Sequence, residues 1–179
     1  MRGDDTQDTS DEIDSHNPHG PPCLSRIMEE GELLIAGIGS LGCAWAKAAQ
    51  DRVSDWADLT LIDADDSSME DARHANCLLL GESPSEVGCA GMPQLAEARM
   101  RSLQPIAAHF LERAELVLLL TGLGGGSGSG ASIEFARQAI QAGCLVVSVA
   151  AMPFEAQSER QKIAEGALSR LSKVSHVCV

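Results

Sequence analysis

Val117-Leu118-Leu119-Leu120-Thr121-Gly122-Leu123 runs directly into Gly124-Gly125-Gly126-Ser127-Gly128-Ser129-Gly130, and a helix-like segment follows from Ala131. The apolar run predicts a buried strand, and the glycine stretch predicts a loop of phosphate size at its end. Five glycines in seven positions bring bare backbone N–H groups close to an anion. Two serine hydroxyls add donors, and the helix that follows presents the positive end of its dipole. A flexible Gly/Ser linker has a similar composition, but linkers rarely sit between an apolar strand and an amphipathic helix. The stretch therefore points to a nucleotide phosphate as its guest.

Working outward, strand-like apolar runs alternate with helix-length amphipathic segments from Glu32 onward, which predicts a mostly parallel, doubly wound α/β sheet. Strands are expected at 33–36, 59–63, 77–80, 116–121 and 145–150, with a terminal strand near 174–179. Helices are expected at 41–50, from about 93 to a break at Pro105, at 131–141 and at about 158–172. Pro105 suits the first position of a second short helix, with Ile106, Ala107 and Phe110 on one face. Ile133, Ala136 and Ile140 form one stripe, closed by Gly143 as a left-handed cap. In the last helix Ile163, Ala164, Ala167, Leu168 and Leu171 follow the 3.6-residue period.

Composition bounds the rest. A chain of 179 residues with 44% hydrophobic content is long enough for one packed domain and short for two. With 26 acidic against 13 basic residues the formal net charge is −13, which argues against nonspecific attraction to nucleic acid or an anionic membrane. Only three of the basic residues are lysines, a bias that suits a high-salt cytoplasm or a GC-rich genome. No apolar run approaches the roughly 18 to 20 residues of a membrane span, and the N-terminus lacks a basic-then-apolar signal pattern, so a cytoplasmic location is expected. Residues 1–24 read as a disordered acidic arm: Asp4, Asp5, Asp8, Asp11, Glu12 and Asp14 precede the helix-refusing Asn17-Pro18-His19-Gly20-Pro21-Pro22. The six cysteines stand singly and most are expected to be buried; His16 and His19 lack companion ligands, so no metal cage is readable.

Two other loops fall at the C-terminal ends of expected strands, where open α/β sheets bind ligands. Gly37-Ile38-Gly39-Ser40-Leu41-Gly42 has G-x-G-x-x-G spacing, and Asp63 and Asp65 close the next strand about 20 residues later. The spacing fits a dinucleotide site or any nucleotide phosphate. Gly42 suits close packing of helix on strand equally well, and the aspartates suit turn capping, with a nucleotide or Mg²⁺ role equally open to Asp65. A Walker P-loop is excluded, because no G-K-[ST] occurs.

Gly124 to Gly130 resembles the tubulin/FtsZ signature G-G-G-T-G-[TS]-G, with Ser127 in the usual Thr place, and the likeness continues through Pro153-Phe154. Gly37-Ile38-Gly39 is similar to the family's first glycine loop, Asp65 to the acid of its second, and Gly81-Glu82-Ser83-Pro84 with Glu86-Val87-Gly88 to its third. The resemblance covers residues 32–179 and implies a Rossmann-like three-layer sandwich that binds GTP or GDP with Mg²⁺. It implies that Gly124, Gly125, Gly126, Ser127, Gly128, Ser129 and Gly130 hold the phosphates, with Gly37, Gly39 and Ser40 approaching from the other side. Asp65 would organise Mg²⁺ through water, Ser83 and Pro84 would face a terminal phosphate, and Arg160 lies near the place of the family's Arg. Self-association or an FtsZ-like partner is the implied protein contact.

Several positions depart from the family pattern. Its first-loop Asn falls at Cys43 or Ala44, and its ribose-touching Glu falls at Gln157, or at Glu155 if a short deletion is allowed. Within the resemblance, Val179 precedes the long central helix with its base-reading Asn, the acidic loop that completes a neighbour's site, and the second domain. The expectation is weak nucleotide binding and little hydrolysis unless a neighbour supplies the acids. Gly37 to Gly42, Leu61-Ile62-Asp63-Ala64-Asp65 and Leu103-Gln104-Pro105 also resemble the ThiF-like adenylating enzymes, which use ATP, although Ala90-Gly91-Met92 stands where their lysine is expected. A nucleotide-free scaffold is the third reading.

Overall fold

The structure, a computed structural model, describes residues 32–53, 56–72, 75–81 and 88–179. The acidic arm, Ser83 and Pro84 lie outside the described residues. Six strands form one sheet in the order β3-β2-β1-β4-β5-β6, and every pairing is parallel. They are β1 (Leu33–Ile38), β2 (Ala57–Asp63), β3 (Ala75–Leu79), β4 (Leu116–Gly122), β5 (Leu145–Ala151) and β6 (Val177–Cys178). This is the doubly wound arrangement expected from the alternating pattern, and its strand order reverses between β1 and β4.

Helices cover the sheet unequally. On one face lies α1 (Gly39–Val53), whose Cys43 and Ala46 pack on Leu33, Ile35, Leu59 and Leu61. The other face carries α2 (Pro93–Ser102), α3 (Gln104–Leu111), α4 (Gly126–Gln141) and α5 (Ser158–Val174), all contributing to one continuous apolar cluster. Phe135 and Ile133 of α4 are its fully buried centre. Each such side chain removed from water is worth about 1.5–3 kcal/mol. Where α2, α4 and α5 meet, the nearly buried Glu134 takes Arg101 and Arg137, and Glu97 takes Arg101, Arg137 and Arg170. Both carboxylates are thus neutralised as they lose water, which the low-dielectric interior requires.

The largest difference from expectation is the start of α4, which begins at Gly126 and not at Ala131. Five of the seven positions of the glycine stretch are helical, and the helix enters a space with no room for side chains. A Cβ on Gly126 would lie 2.7 Å from that of Cys89, one on Gly128 would overlap Gly122 O, and one on Gly130 would overlap Pro93 O. The stripe expected on α4 is also incomplete. The helix is buried almost all round, and Ile140 is the end that emerges. On α3 the buried residues are Ala107 and Leu111, with Phe110 partly covered, whereas Ile106 faces solvent because the turn after Leu103 rotates it outward. Cys43, Cys89 and Cys144 are buried as expected, but Cys77 is exposed on the edge strand β3. Gly143 takes the left-handed conformation expected of a cap (φ +93°).

Two glycine substitutions are expected to move stability in opposite directions. Gly42→Ala would push a Cβ onto Leu120 O beneath α1, and overpacking of this kind costs about 1–3 kcal/mol. Gly166 sits inside α5 with nothing within 4 Å of an added Cβ, so Gly166→Ala should stabilise by up to about 1 kcal/mol. Urea denaturation of both variants measures the two signs.

Candidate functional site

The reversal of strand order between β1 and β4 leaves a crevice beyond their C-terminal ends, where the connections run to opposite faces of the sheet. A cleft of about 470 Å³ opens there, within the range of small-molecule sites. Gly39, Ser40 and Leu41 form one wall, at the start of α1; Gly125, Gly126, Ser127 and Gly128 form another, at the start of α4. Asp63 closes it from β2, Ala151 to Phe154 from the end of β5, and Gln157 and Arg160 from the approach to α5 and its first turn. Two helix N-termini therefore meet at one opening, each with a positive dipole end and backbone N–H groups that have no acceptor within the helix. Gly125 is the N-cap of α4 and offers no side-chain cap, so those N–H groups are not covered from within the helix.

Sterics explain why these walls are bare. A Cβ on Gly39 would lie 3.0 Å from Gly128 N, so the two helix starts are in near contact. Gly125 differs: the nearest atom to an added Cβ is the Arg160 guanidinium at 4.0 Å, so its missing side chain leaves open cleft. Among the described residues Arg160 is the one Lys or Arg on the cleft lining, and its Nε donates to Gly124 O at 3.2 Å. That bond holds the positive charge beside the start of α4.

Not all of the sequence-predicted residues reach the cleft. Gly39, Ser40, Gly125, Gly126, Ser127, Gly128 and Arg160 line it. Gly37 is buried in β1, where a Cβ would come 2.6 Å from Gly42 O, so its bareness serves strand-on-helix packing. Gly124 turns the chain at φ +95°, and its N–H donates to the fully buried Ser129 Oγ at 2.8 Å. Ser129 thus closes the loop on itself, and Gly130 packs on Pro93. Asp65 caps the short 3-10 helix Asp66–Met69, accepting from Ser67 N at 3.1 Å and Ser67 Oγ at 2.8 Å.

Sequence reasoning paired Asp63 with Asp65 at the end of the strand and named only Asp65 for the nucleotide site. Asp63 is 3% exposed and accepts from Ala64 N at 2.7 Å, Ser68 Oγ at 2.8 Å and Ser40 Oγ at 3.0 Å. The carboxylate ties the start of α1 to the end of β2 and fixes Ser40 on the cleft wall. Thr121 does similar work beneath: its Oγ1 lies 3.2 Å from Ile38 O and 3.1 Å from Gly128 O. Gln157 also lines the cleft, whereas Glu155 does not. Cys43 sits under Asp63, its thiol 3.4 Å from Gly37 O; burial first, and the Asp63 carboxylate second, push it up to about 11.

The same span carries a family assignment. Residues 32–179 match the family model for the Tubulin/FtsZ family, GTPase domain. The chain belongs to that family. Among curated Tubulin/FtsZ proteins it is 28% identical over 160 residues to cell division protein FtsZ 1 of Pyrococcus abyssi, an alignment covering 87% of this chain and 43% of that one. Cell division protein FtsZ 2 of Methanocaldococcus jannaschii is 26% identical over 146 residues, covering 81% of this chain and 38% of that one. The chain thus spans less than half the length of these relatives. In fold it resembles the empty FtsZ dimer of M. jannaschii, with a TM-score of 0.77 at 22% identity over 87% of this chain and 45% of that one. CetZ2 of Haloferax volcanii, solved as a GTPγS-bound protofilament, gives 0.72 at 22% identity over 82% of this chain and 48% of that one.

Thiol chemistry tests the geometry of this Tubulin/FtsZ domain. In the native chain at pH 8, Cys77 should react with a maleimide promptly while Cys43 stays unmodified until the chain unfolds, as read by peptide mass spectrometry. Because the folded thiol of Cys43 titrates near 11 and the unfolded one near 9, its contribution to stability is complete below pH 9 and is lost as the pH rises to 11. Cys43→Ala should flatten that part of the stability profile.

Proposed function

We propose that this chain is the nucleotide-binding part of an FtsZ-like cytoskeletal or cell-division protein and binds GTP or GDP in the cleft between β1 and β4. The observation that carries the reading is the meeting of two helix N-termini at one opening, that of α4 without a side-chain cap, beside Arg160 in a chain of strongly negative net charge. Backbone N–H groups of Gly125 to Gly128 suit phosphate oxygens on one side, and Gly39 with Ser40 suits them on the other. Arg160 adds a full charge at the rim. The bare wall at Gly125 is the space that a phosphate chain would fill.

The family and the GTPγS bound in CetZ2 support guanine as the base; among the described residues no side chain of the cleft lining selects a purine. Mg²⁺ would enter with the nucleotide, held by phosphate oxygens and water. Among the described residues Asp63 is the carboxylate that lines the cleft, while that of Asp65 caps a turn; this reading therefore gives Asp63 the Mg²⁺-facing role that the resemblance implies for Asp65. The bound ion would screen phosphate charge from Asp63. Hydrolysis would draw its catalytic acids from a neighbouring subunit, which makes self-association or an FtsZ-like partner part of the reading. A cytoplasmic location accords with the acidic composition, and among the described residues no helix is long and apolar enough to cross a membrane. The ThiF-like reading retains its G-x-G-x-x-G spacing but gives no reason for the glycine stretch at 124–130.

Titration with a fluorescent GTP analogue in the presence of Mg²⁺ tests the assignment. Saturable binding displaced by GTP and not by ATP is expected. Gly125→Val should weaken it about tenfold or more without changing the melting temperature, because the new side chain enters the cleft and not the core. Displacement by ATP as readily as by GTP would remove the guanine assignment, and unchanged affinity in Gly125→Val would remove the site.

A further inference from the structure

The two walls of the cleft have opposite hydrogen-bonding capacity. Toward α4 stand the backbone N–H groups of Gly125 to Gly128, the Ser127 hydroxyl and the Arg160 guanidinium, all of which can donate. Toward β2 the balance is reversed. Ser40 lines the cleft, but a carboxylate only accepts, so the 3.0 Å bond from Ser40 Oγ to Asp63 Oδ2 uses the one proton of the serine hydroxyl. What Ser40 Oγ turns to the cleft is therefore lone pairs. Unlike the backbone N–H groups at the start of α1, this hydroxyl is not a donor to phosphate.

Asp63 adds a charge to the same corner. Its Oδ2 accepts from Ser40 Oγ and Ser68 Oγ and its Oδ1 from Ala64 N, which fills three of the roughly four acceptor positions of a carboxylate. All three donors are uncharged, so they hold the carboxylate in place without neutralising it. Among the described residues Asp63 is the one acid of the cleft lining, and Arg160, its one Lys or Arg, is held on the opposite wall at Gly124 O. The walls are close together: a Cβ on Gly39, the neighbour of Ser40, would lie 3.0 Å from Gly128 N. Phosphate oxygens seated on the α4 N–H groups therefore come beside the Ser40 lone pairs and a buried charge of their own sign. Such repulsion is stronger in a partly shielded cleft than in bulk water. The donor set suits a hard divalent cation, because Mg²⁺ takes oxygen ligands, keeps several of its waters and is shared with substrate phosphates. A ribose hydroxyl could also donate to a carboxylate at the end of a strand, but this corner adjoins the starts of both helices, which is the phosphate end of the cleft.

We infer that Ser40 and Asp63 form an acceptor-only corner that turns away bare phosphate and admits nucleotide only as its complex with a divalent cation. The inference rests on the nucleotide reading proposed above and adds a condition of entry to it. Cation and nucleotide bind together, each raising the affinity for the other by the same factor. Asp63 sets that coupling through its charge, and Ser40 contributes by spending its proton on Asp63.

The affinity of the full chain for the fluorescent GTP analogue, measured in Mg²⁺ and again in EDTA, tests this. Removal of Mg²⁺ should weaken binding to the wild type roughly a hundredfold, the effect of one unmatched charge at about 6 Å in a partly screened site. Asp63→Asn keeps the shape of the side chain and an acceptor for Ser40 while removing the charge. It should bind more tightly than the wild type in EDTA, and its difference between the two media should shrink about tenfold or more. A gain of affinity separates this role from a structural one, because a damaged cleft only loses binding; circular dichroism confirms the fold of the variant. The wild-type ratio is read on the unaltered chain and stands whether or not the variant folds. Equal wild-type affinity with and without Mg²⁺ would overturn the inference and leave the nucleotide reading intact. A loss in Asp63→Asn of the same size in both media would assign the carboxylate to a ligand hydroxyl and overturn it as well. Absence of saturable binding in Mg²⁺ would remove the nucleotide reading and this inference with it.

Discussion

The approach of the α4 N-terminus to the end of β4 is the contact on which the rest of the structure depends. Gly128 lies against Gly122 O and Thr121 Oγ1 with no space for a Cβ, and Gly39 at the start of α1 comes against Gly128 from the other side. Three backbone segments converge there without side chains between them. That convergence brings two helix dipoles to one opening and directs α4 through the centre of the core, where Phe135 and Ile133 anchor it. Glycine is required at these positions first by packing. The anion-binding character of the cleft follows from the same bareness, because N–H groups with no side chain above them remain open to a ligand.

The polar groups beneath the cleft serve that contact. Asp63 ties Ser40 to the end of β2, Thr121 lies between Ile38 O and Gly128 O, and Ser129 satisfies Gly124 N. Each is buried, and each satisfies a donor or acceptor that the converging backbones would otherwise leave unpaired. Their cost in desolvation is offset by these hydrogen bonds of 2.8–3.2 Å, which tie the walls of the cleft together within the chain itself. The glutamate and arginine network of α2, α4 and α5 holds the opposite side of α4 in the same way.

Much of this was legible from particular residues. The run Val117 to Leu123 followed by the glycine stretch identified β4, the cleft loop and the family, and strand-length runs at 33, 59 and 145 located three more strands. Gly143 and the 3.6-residue stripe of α5 were also readable, because each depends on local conformation and spacing. Other features were not readable. Ser129 looks in sequence like a second phosphate donor, but its hydroxyl faces inward to Gly124 N. Asp63 and Asp65 are equally acidic and two residues apart, a spacing that would put both on one face of a strand; β2 ends at Asp63, which lines the cleft, and the chain turns before Asp65, which caps the 3-10 helix.

What the sequence by itself determined is the order of strands and helices and the presence of a bare loop where a strand becomes a helix. These rest on periodicity and on the conformational freedom of glycine, both properties of neighbouring residues. What the tertiary structure alone decided is which glycines face the cleft and which face the core, and which acid stands in the wall. Those depend on contacts between segments far apart in the chain: Gly39 with Gly128, Ser40 with Asp63 and Gly130 with Pro93. A one-dimensional pattern records that a side chain is missing, and the fold decides what fills the space.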